Sequence, residues 1–85
     1  MPKPYNGHRS WNAWNVSLWI NNDEGLYNLA RDLMKEALRR HSTLRSARMS
    51  AARAFILECK ECGLEKTPDG ARYNLTCVYE AMEGM

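Results

Sequence analysis

Cys59-Lys-Glu-Cys62, with Cys77 downstream, is the spacing in this chain that comes nearest to site chemistry. It looks like half of a zinc knuckle. A structural zinc site needs four ligands, and only His8 or His41 remains to complete the set, at no standard spacing. A redox Cys-x-x-Cys belongs at the start of a helix in a βαβ context, whereas this pair falls at a helix end. Small buried thiols on a helix face are therefore the expected state, and no metal is expected. Asp23-Glu24 beside Asn21-Asn22 resembles a cation cluster, but helix-start chemistry explains all four residues. With two histidines, no glycine-rich phosphate loop and no carboxylate pair beside a nucleophile, the chain holds no catalytic constellation. No enzyme activity and no cofactor are expected.

The remaining candidate chemistry is recognition by arginine. Arg39, Arg40, Arg45, Arg48 and Arg53, with His41, lie in a stretch that has no acid between Ala37 and Leu57. Such a run serves as a solvated face, as a contact for an acidic protein, or as a phosphate contact in a helix–turn–helix arrangement. A pI of about 8.5 is below that of a dedicated nucleic-acid binder. Arg48 differs from the others because it falls between Leu44 and Phe55 on the apolar side of its helix. Its stem is expected to pack there, with the guanidinium reaching Asp23, Glu24 or Asp32.

The 85 residues suit one domain near the lower limit for folding unaided. At 45% apolar and 26% charged residues, the composition is that of a globular chain. The longest strictly apolar run, Ala54-Phe55-Ile56-Leu57, is far short of a membrane span of about 20 residues. An odd cysteine count without an export signal suits a reducing cytoplasm. The net charge of +2 hides a basic middle and an acidic final third.

The elements that position these groups are expected to be four helices in one compact all-α bundle over residues 10–85, after an irregular arm over residues 1–9 that contains Pro2, Pro4 and Gly7. Ser10 caps a first helix running to about Ile20, with all three tryptophans inside it. On a 100° wheel Trp11, Trp14, Asn15 and Leu18 share a face, Val16 and Ile20 point away, and Trp19 lies between. A helix apolar nearly all round is contacted on several sides, so this one is expected to be central, with Trp14 and Leu18 in the core. Asn15 then has a buried hydrogen-bonding role, while Trp11 or Trp19 is the candidate exposed anchor.

Asn22 is the expected cap of helix two, whose stripe of Leu26, Leu29, Ala30, Leu33 and Ala37 extends to about Arg40. Ser42 or Thr43 opens helix three, which carries Phe55 as a core residue and stops at Gly63. Thr67-Pro68-Asp69-Gly70 reads as a turn or as a helix start, and a short last helix falls within 74–83.

The run Trp11-Asn-Ala-Trp-Asn-Val-Ser-Leu-Trp-Ile-Asn-Asn-Asp-Glu-Gly25 resembles the opening signature of a family of small phage- and plasmid-encoded proteins. That signature has the form of an aromatic residue or Asn followed by x-x-Trp-x-Val-x-Leu-Trp-Ile/Leu-x-Asn-Asp/Glu-Glu/Gln-Gly. The segment Leu75-Thr-Cys-Val-Tyr-Glu-Ala-Met82 looks like a degenerate form of the family's last helix, departing from it near Cys77 and Val78. The resemblance implies a gene of mobile elements, and genes of this kind often encode inhibitors of host defence, including anti-CRISPR proteins. It carries over no catalytic residue. The expected function is steric inhibition of a host protein complex, such as a CRISPR effector, in the host cytoplasm. The expected contacts are Arg39, Arg40, Arg45, Arg48, Arg53, Trp11 and Trp19. The alternative is a small nucleic-acid-binding regulator.

Overall fold

A computed structural model describes His8 and residues 10–85, so the expected N-terminal arm lies outside the described residues apart from His8. Four helices follow in order: α1 (Trp11–Asn22), α2 (Glu24–Arg40), α3 (Leu44–Glu61) and α4 (Leu75–Ala81). The helices form a four-walled arrangement in which α1 and α3 each pack against both α2 and α4. The all-α bundle is as expected, but α1 is one wall of it and not its centre.

Each boundary has a local cause. The Ser10 hydroxyl accepts from the Ala13 N–H at 3.1 Å, and the Thr43 hydroxyl accepts from the Ser46 N–H at 3.1 Å. Asn74 does the same for α4, accepting from the Cys77 N–H at 2.9 Å. These contacts satisfy donors that a helix start leaves open. The joint between α1 and α2 is a single residue, Asp23. Its N–H donates to the Trp19 carbonyl at 2.9 Å, closing α1, while its carboxylate accepts from the Leu26 N–H at 3.0 Å and opens α2. Asn22, the expected cap, is instead the last residue of α1, and its amide donates back to the Leu18 carbonyl at 2.8 Å. A side chain at Gly25 would bring its Cβ to 3.3 Å from the Asp23 carboxylate, so glycine leaves the joint uncrowded.

α3 ends in a Schellman motif. Gly63, at φ 79°, donates to the Lys60 carbonyl at 3.0 Å, and Leu64 donates to the Cys59 carbonyl at 2.7 Å. Residues 64–74 then double back as a hairpin-like loop. Lys66 pairs with Arg72 in an antiparallel bridge, the Thr67 N–H donates to the Ala71 carbonyl at 2.7 Å, and the Gly70 N–H donates to the Thr67 carbonyl at 2.8 Å. The Thr67–Gly70 segment is thus a turn.

The core is rich in alanine. Ala13, Val16 and Ile20 of α1 meet Ala30, Met34 and Ala37 of α2, Ala47, Ala51, Ala52, Phe55 and Cys59 of α3, and Val78 of α4 with Met82 just after it. Phe55 is fully buried, edge-on to Tyr73 with ring centroids 5.9 Å apart. Leu26, Leu29 and Leu33 pack against this core from its margin, half-buried.

The orientation of α1 reverses the expected one. Leu18 is 37% exposed and Trp14 only half-buried, while Val16 and Ile20 are completely buried. α1 carries two apolar arcs on opposite sides. The smaller side chains of Ala13, Val16 and Ile20 allow closer approach to neighbouring backbones. The flank that carries Asn12 and Asn15 must also meet the 64–74 loop.

Candidate binding surfaces

The outer side of α3 forms an open groove lined by His41, Arg45, Ser46, Met49, Ser50 and Arg53. Arg45, Met49 and Arg53 recur at every fourth position, so they lie along one side of the helix. No acid lines the groove, and among the described residues neither Arg45 nor Arg53 forms an ion pair. Two cations therefore stand about one turn to either side of a thioether.

The other arginines are separated from that pair. Arg39 and Arg40 reach Glu36 one turn back on α2, at 3.6 and 3.1 Å, in exposed pairs of small energetic weight. Arg48 lies on the inner side of α3, half-buried, with its guanidinium carbon 4.1 Å from the centroid of the Tyr79 ring. The expected carboxylate partner from Asp23, Glu24 or Asp32 is replaced by this aromatic face. Its Nε is buried with no hydrogen-bond partner. Of the five arginines, the structure brings Arg45 and Arg53 together and assigns Arg48 to packing.

A second constellation binds α1 to the 64–74 loop. Asn15, 1% exposed, accepts from the Thr67 hydroxyl at 2.6 Å and donates to the Asp69 carboxylate at 2.9 Å. The Thr67 hydroxyl in turn accepts from the Ala71 N–H at 3.0 Å. The Trp19 indole N–H donates to the same Asp69 oxygen at 2.9 Å. One turn earlier, Asn12 accepts from the Arg72 N–H and donates to the Arg72 carbonyl, both at 2.9 Å, with a further 3.3 Å contact to the Cys77 sulfur. The amide bond from Asn15 and then the indole bond from Trp19 hold the Asp69 carboxyl below its usual range. The expected buried role of Asn15 is present. Trp19 is a half-buried fastening for the loop and not a free anchor. Asn12, Thr67 and Asp69 were not among the expected site residues, and the signal for them was limited to two asparagines one turn apart among the apolar residues of the first half of α1.

The third surface is the outward side of α1, where Trp11 is 40% exposed, Leu18 37% exposed and Trp14 half-buried.

Over residues 1–85 the chain matches the family described as "Family of unknown function (DUF7249)". It belongs to that family. No curated protein and no solved structure matches the chain.

In this DUF7249 member the thiols do not converge. Cys59 and Cys77 are buried but Cys62 is exposed, so only two of the three fit the expected buried state. Among the described residues no group of three or more His, Cys, Asp and Glu side chains could hold a metal ion. Burial, with smaller contributions from Cys62 and Glu58, pushes the Cys59 thiol up to about 11. Burial likewise pushes the Tyr73 phenol up to about 12, with Cys59 and then Asp23 adding to it. Both groups are thus held neutral in the fold, while in the unfolded chain they ionise near 9 and 10. Their contribution to stability is complete below pH 9 and is lost as pH rises through 11 to 12. Urea denaturation midpoints should be flat from pH 7 to 9 and fall steeply above it. Cys59→Ala combined with Tyr73→Phe should flatten that alkaline limb, and a limb of unchanged slope would contradict the assignment.

Proposed function

We propose that this protein is a binding protein of a phage or other mobile element, one that attaches to a host protein complex and inhibits it by occupying surface the complex needs. The observation that carries this reading is the α3 groove, in which Arg45 and Arg53 stand without acidic partners among the described residues on either side of Met49. Unpaired guanidinium groups flanking an apolar side chain suit a protein surface where carboxylates surround an apolar residue. The resemblance of residues 11–25 to proteins of mobile elements supplies the setting, with a CRISPR effector in the host cytoplasm as the sharpest target. The protein acts sterically and without chemistry of its own.

A second reading, a nucleic-acid-binding regulator, uses the same groove, where the Ser46 and Ser50 hydroxyls could join the arginines on phosphates. The two readings separate in one experiment. Tagged protein is used to capture partners from nuclease-treated host lysate, with wild type and the Arg45→Glu/Arg53→Glu double variant side by side. The steric-inhibitor reading predicts a protein complex whose retention survives nuclease and falls at least about tenfold in the double variant, since like charges replace opposite ones. Capture abolished by nuclease, with affinity for purified DNA or RNA falling steeply with salt, favours the regulator. Absence of any partner above background contradicts both.

A further inference from the structure

The α3 groove is rich in hydrogen-bond donors that nothing in the fold uses. Arg45 and Arg53 are exposed and form no ion pair among the described residues, and no carboxylate lines the groove. Ser46 and Ser50 flank the same row, and among the described residues neither hydroxyl has a hydrogen-bond partner. Arg45, Met49 and Arg53 follow one another at four-residue steps, about 6 Å each along the helix and about 12 Å from first to last. Ser46 and Ser50 repeat that step.

We propose that the groove binds an acidic peptide segment in extended conformation, of the pattern acid–x–apolar–x–acid, laid along α3. A strand advances about 6.4–6.8 Å for every two residues, and its side chains at i, i+2 and i+4 share one face. Those three positions fall opposite Arg45, Met49 and Arg53, with a total mismatch of about 1–2 Å that the long arginine side chains absorb. Each guanidinium meets a carboxylate, and Met49 packs on the apolar side chain between them. The carbonyls along one edge of an extended segment repeat at the same two-residue interval, and nothing within the segment satisfies them. They are the acceptors that the Ser46 and Ser50 hydroxyls lack. A helical partner matches the arginine spacing, but its carbonyls are bonded within the helix and leave both hydroxyls idle. A nucleic-acid strand is anionic at every nucleotide, so a contact running along it sets a phosphate against the Met49 thioether. The alternation of cation, thioether and cation therefore favours the peptide. The proposal rests on the reading of this groove as a protein-binding surface and names the part of the partner that it takes.

The test is fluorescence anisotropy of the full chain with labelled nonapeptides at low salt. The matched probe is Gly-Ser-Glu-Ser-Leu-Ser-Glu-Ser-Gly, and the control, of the same composition, is Gly-Ser-Leu-Ser-Ser-Glu-Glu-Ser-Gly. The matched probe should bind with a dissociation constant of about 100 µM, and the control at least about fivefold more weakly. Arg45→Glu/Arg53→Glu, confirmed as folded by circular dichroism, should weaken the matched probe at least about tenfold. The comparison of the two peptides on the wild-type chain needs no variant. Equal binding of the two peptides, or no binding of either at about 1 mM, would overturn the proposal. So would matched-probe binding that the double variant leaves unchanged, or tighter binding of an oligothymidylate strand than of the matched peptide. If the peptides fail while capture of a protein complex from nuclease-treated lysate is still lost in the double variant, the protein-binding reading stands and the extended acidic segment falls.

Discussion

Asn15→Ala should lower the thermal midpoint by about 10–20 °C, the largest effect expected from any polar residue in the chain. Asn15 is buried, and its carbonyl oxygen is the acceptor for the Thr67 hydroxyl at 2.6 Å. Thr67 is itself only 4% exposed, and its oxygen also receives the Ala71 N–H. Truncation leaves that hydroxyl proton without an acceptor and opens a small cavity, together costing about 2–3 kcal/mol. A chain of this length has a total stability of roughly 4–13 kcal/mol, so the loss is a large share. Thr67→Val should cost less, and the double variant should cost less than the sum, because the two side chains share one bond. The acid limb carries a second signature. Asp69 has its folded pKa below the ordinary 3.8, through the bond from Asn15 and then the bond from Trp19. Its contribution is therefore complete above pH 3.8 and lost as pH falls through the lower folded value. In Asn15→Ala that acid-dependent loss should shrink. Thermal melts at neutral pH and near pH 3 check both points, and an unchanged midpoint would mean the loop is held by other contacts.

What was legible in the sequence follows from which forces are local. α2 was readable to its last residue because one stripe of leucines and alanines faces one way and Arg40 ends it. The caps at Ser10 and Thr43 and the stop at Gly63 were readable because each acts within four residues of its own backbone. Asp23 was missed as a cap because Asn22 and Asp23 are both cap residues, and only the geometry of the joint selects between them. The fold direction of α1 was not legible. Its apolar residues form two arcs, and weighting by size chose the arc with the tryptophans. What decided otherwise were hydrogen bonds from Asn12, Asn15 and Trp19 to a loop more than forty residues away in sequence, which leave no local trace. The basic run from Arg39 to Arg53 was visible as charge, but its partition was not. Arg48 was recognisable as an inward residue, yet its aromatic partner, Tyr79, is on α4.

Which side of α1 faces inward also decides which of its side chains meet solvent, because Trp11 and Leu18 are exposed only if Val16 and Ile20 are inside. Ile20→Ala should cost about 2–4 kcal/mol, since the side chain is completely buried in the core and its truncation leaves a cavity there. Leu18→Ala removes the same class of group from a position more than a third exposed, and should cost less than about 1 kcal/mol. The gap of roughly 2 kcal/mol or more between two aliphatic truncations two residues apart is specific to this orientation of the helix. The most direct measurement is paired urea denaturation of Ile20→Ala and Leu18→Ala, at protein concentrations low enough that association adds nothing. A large loss for Ile20→Ala beside a near-native Leu18→Ala is the predicted result. The reverse order, with Leu18→Ala the damaging change, would show the tryptophan face buried and would contradict the outward surface on α1.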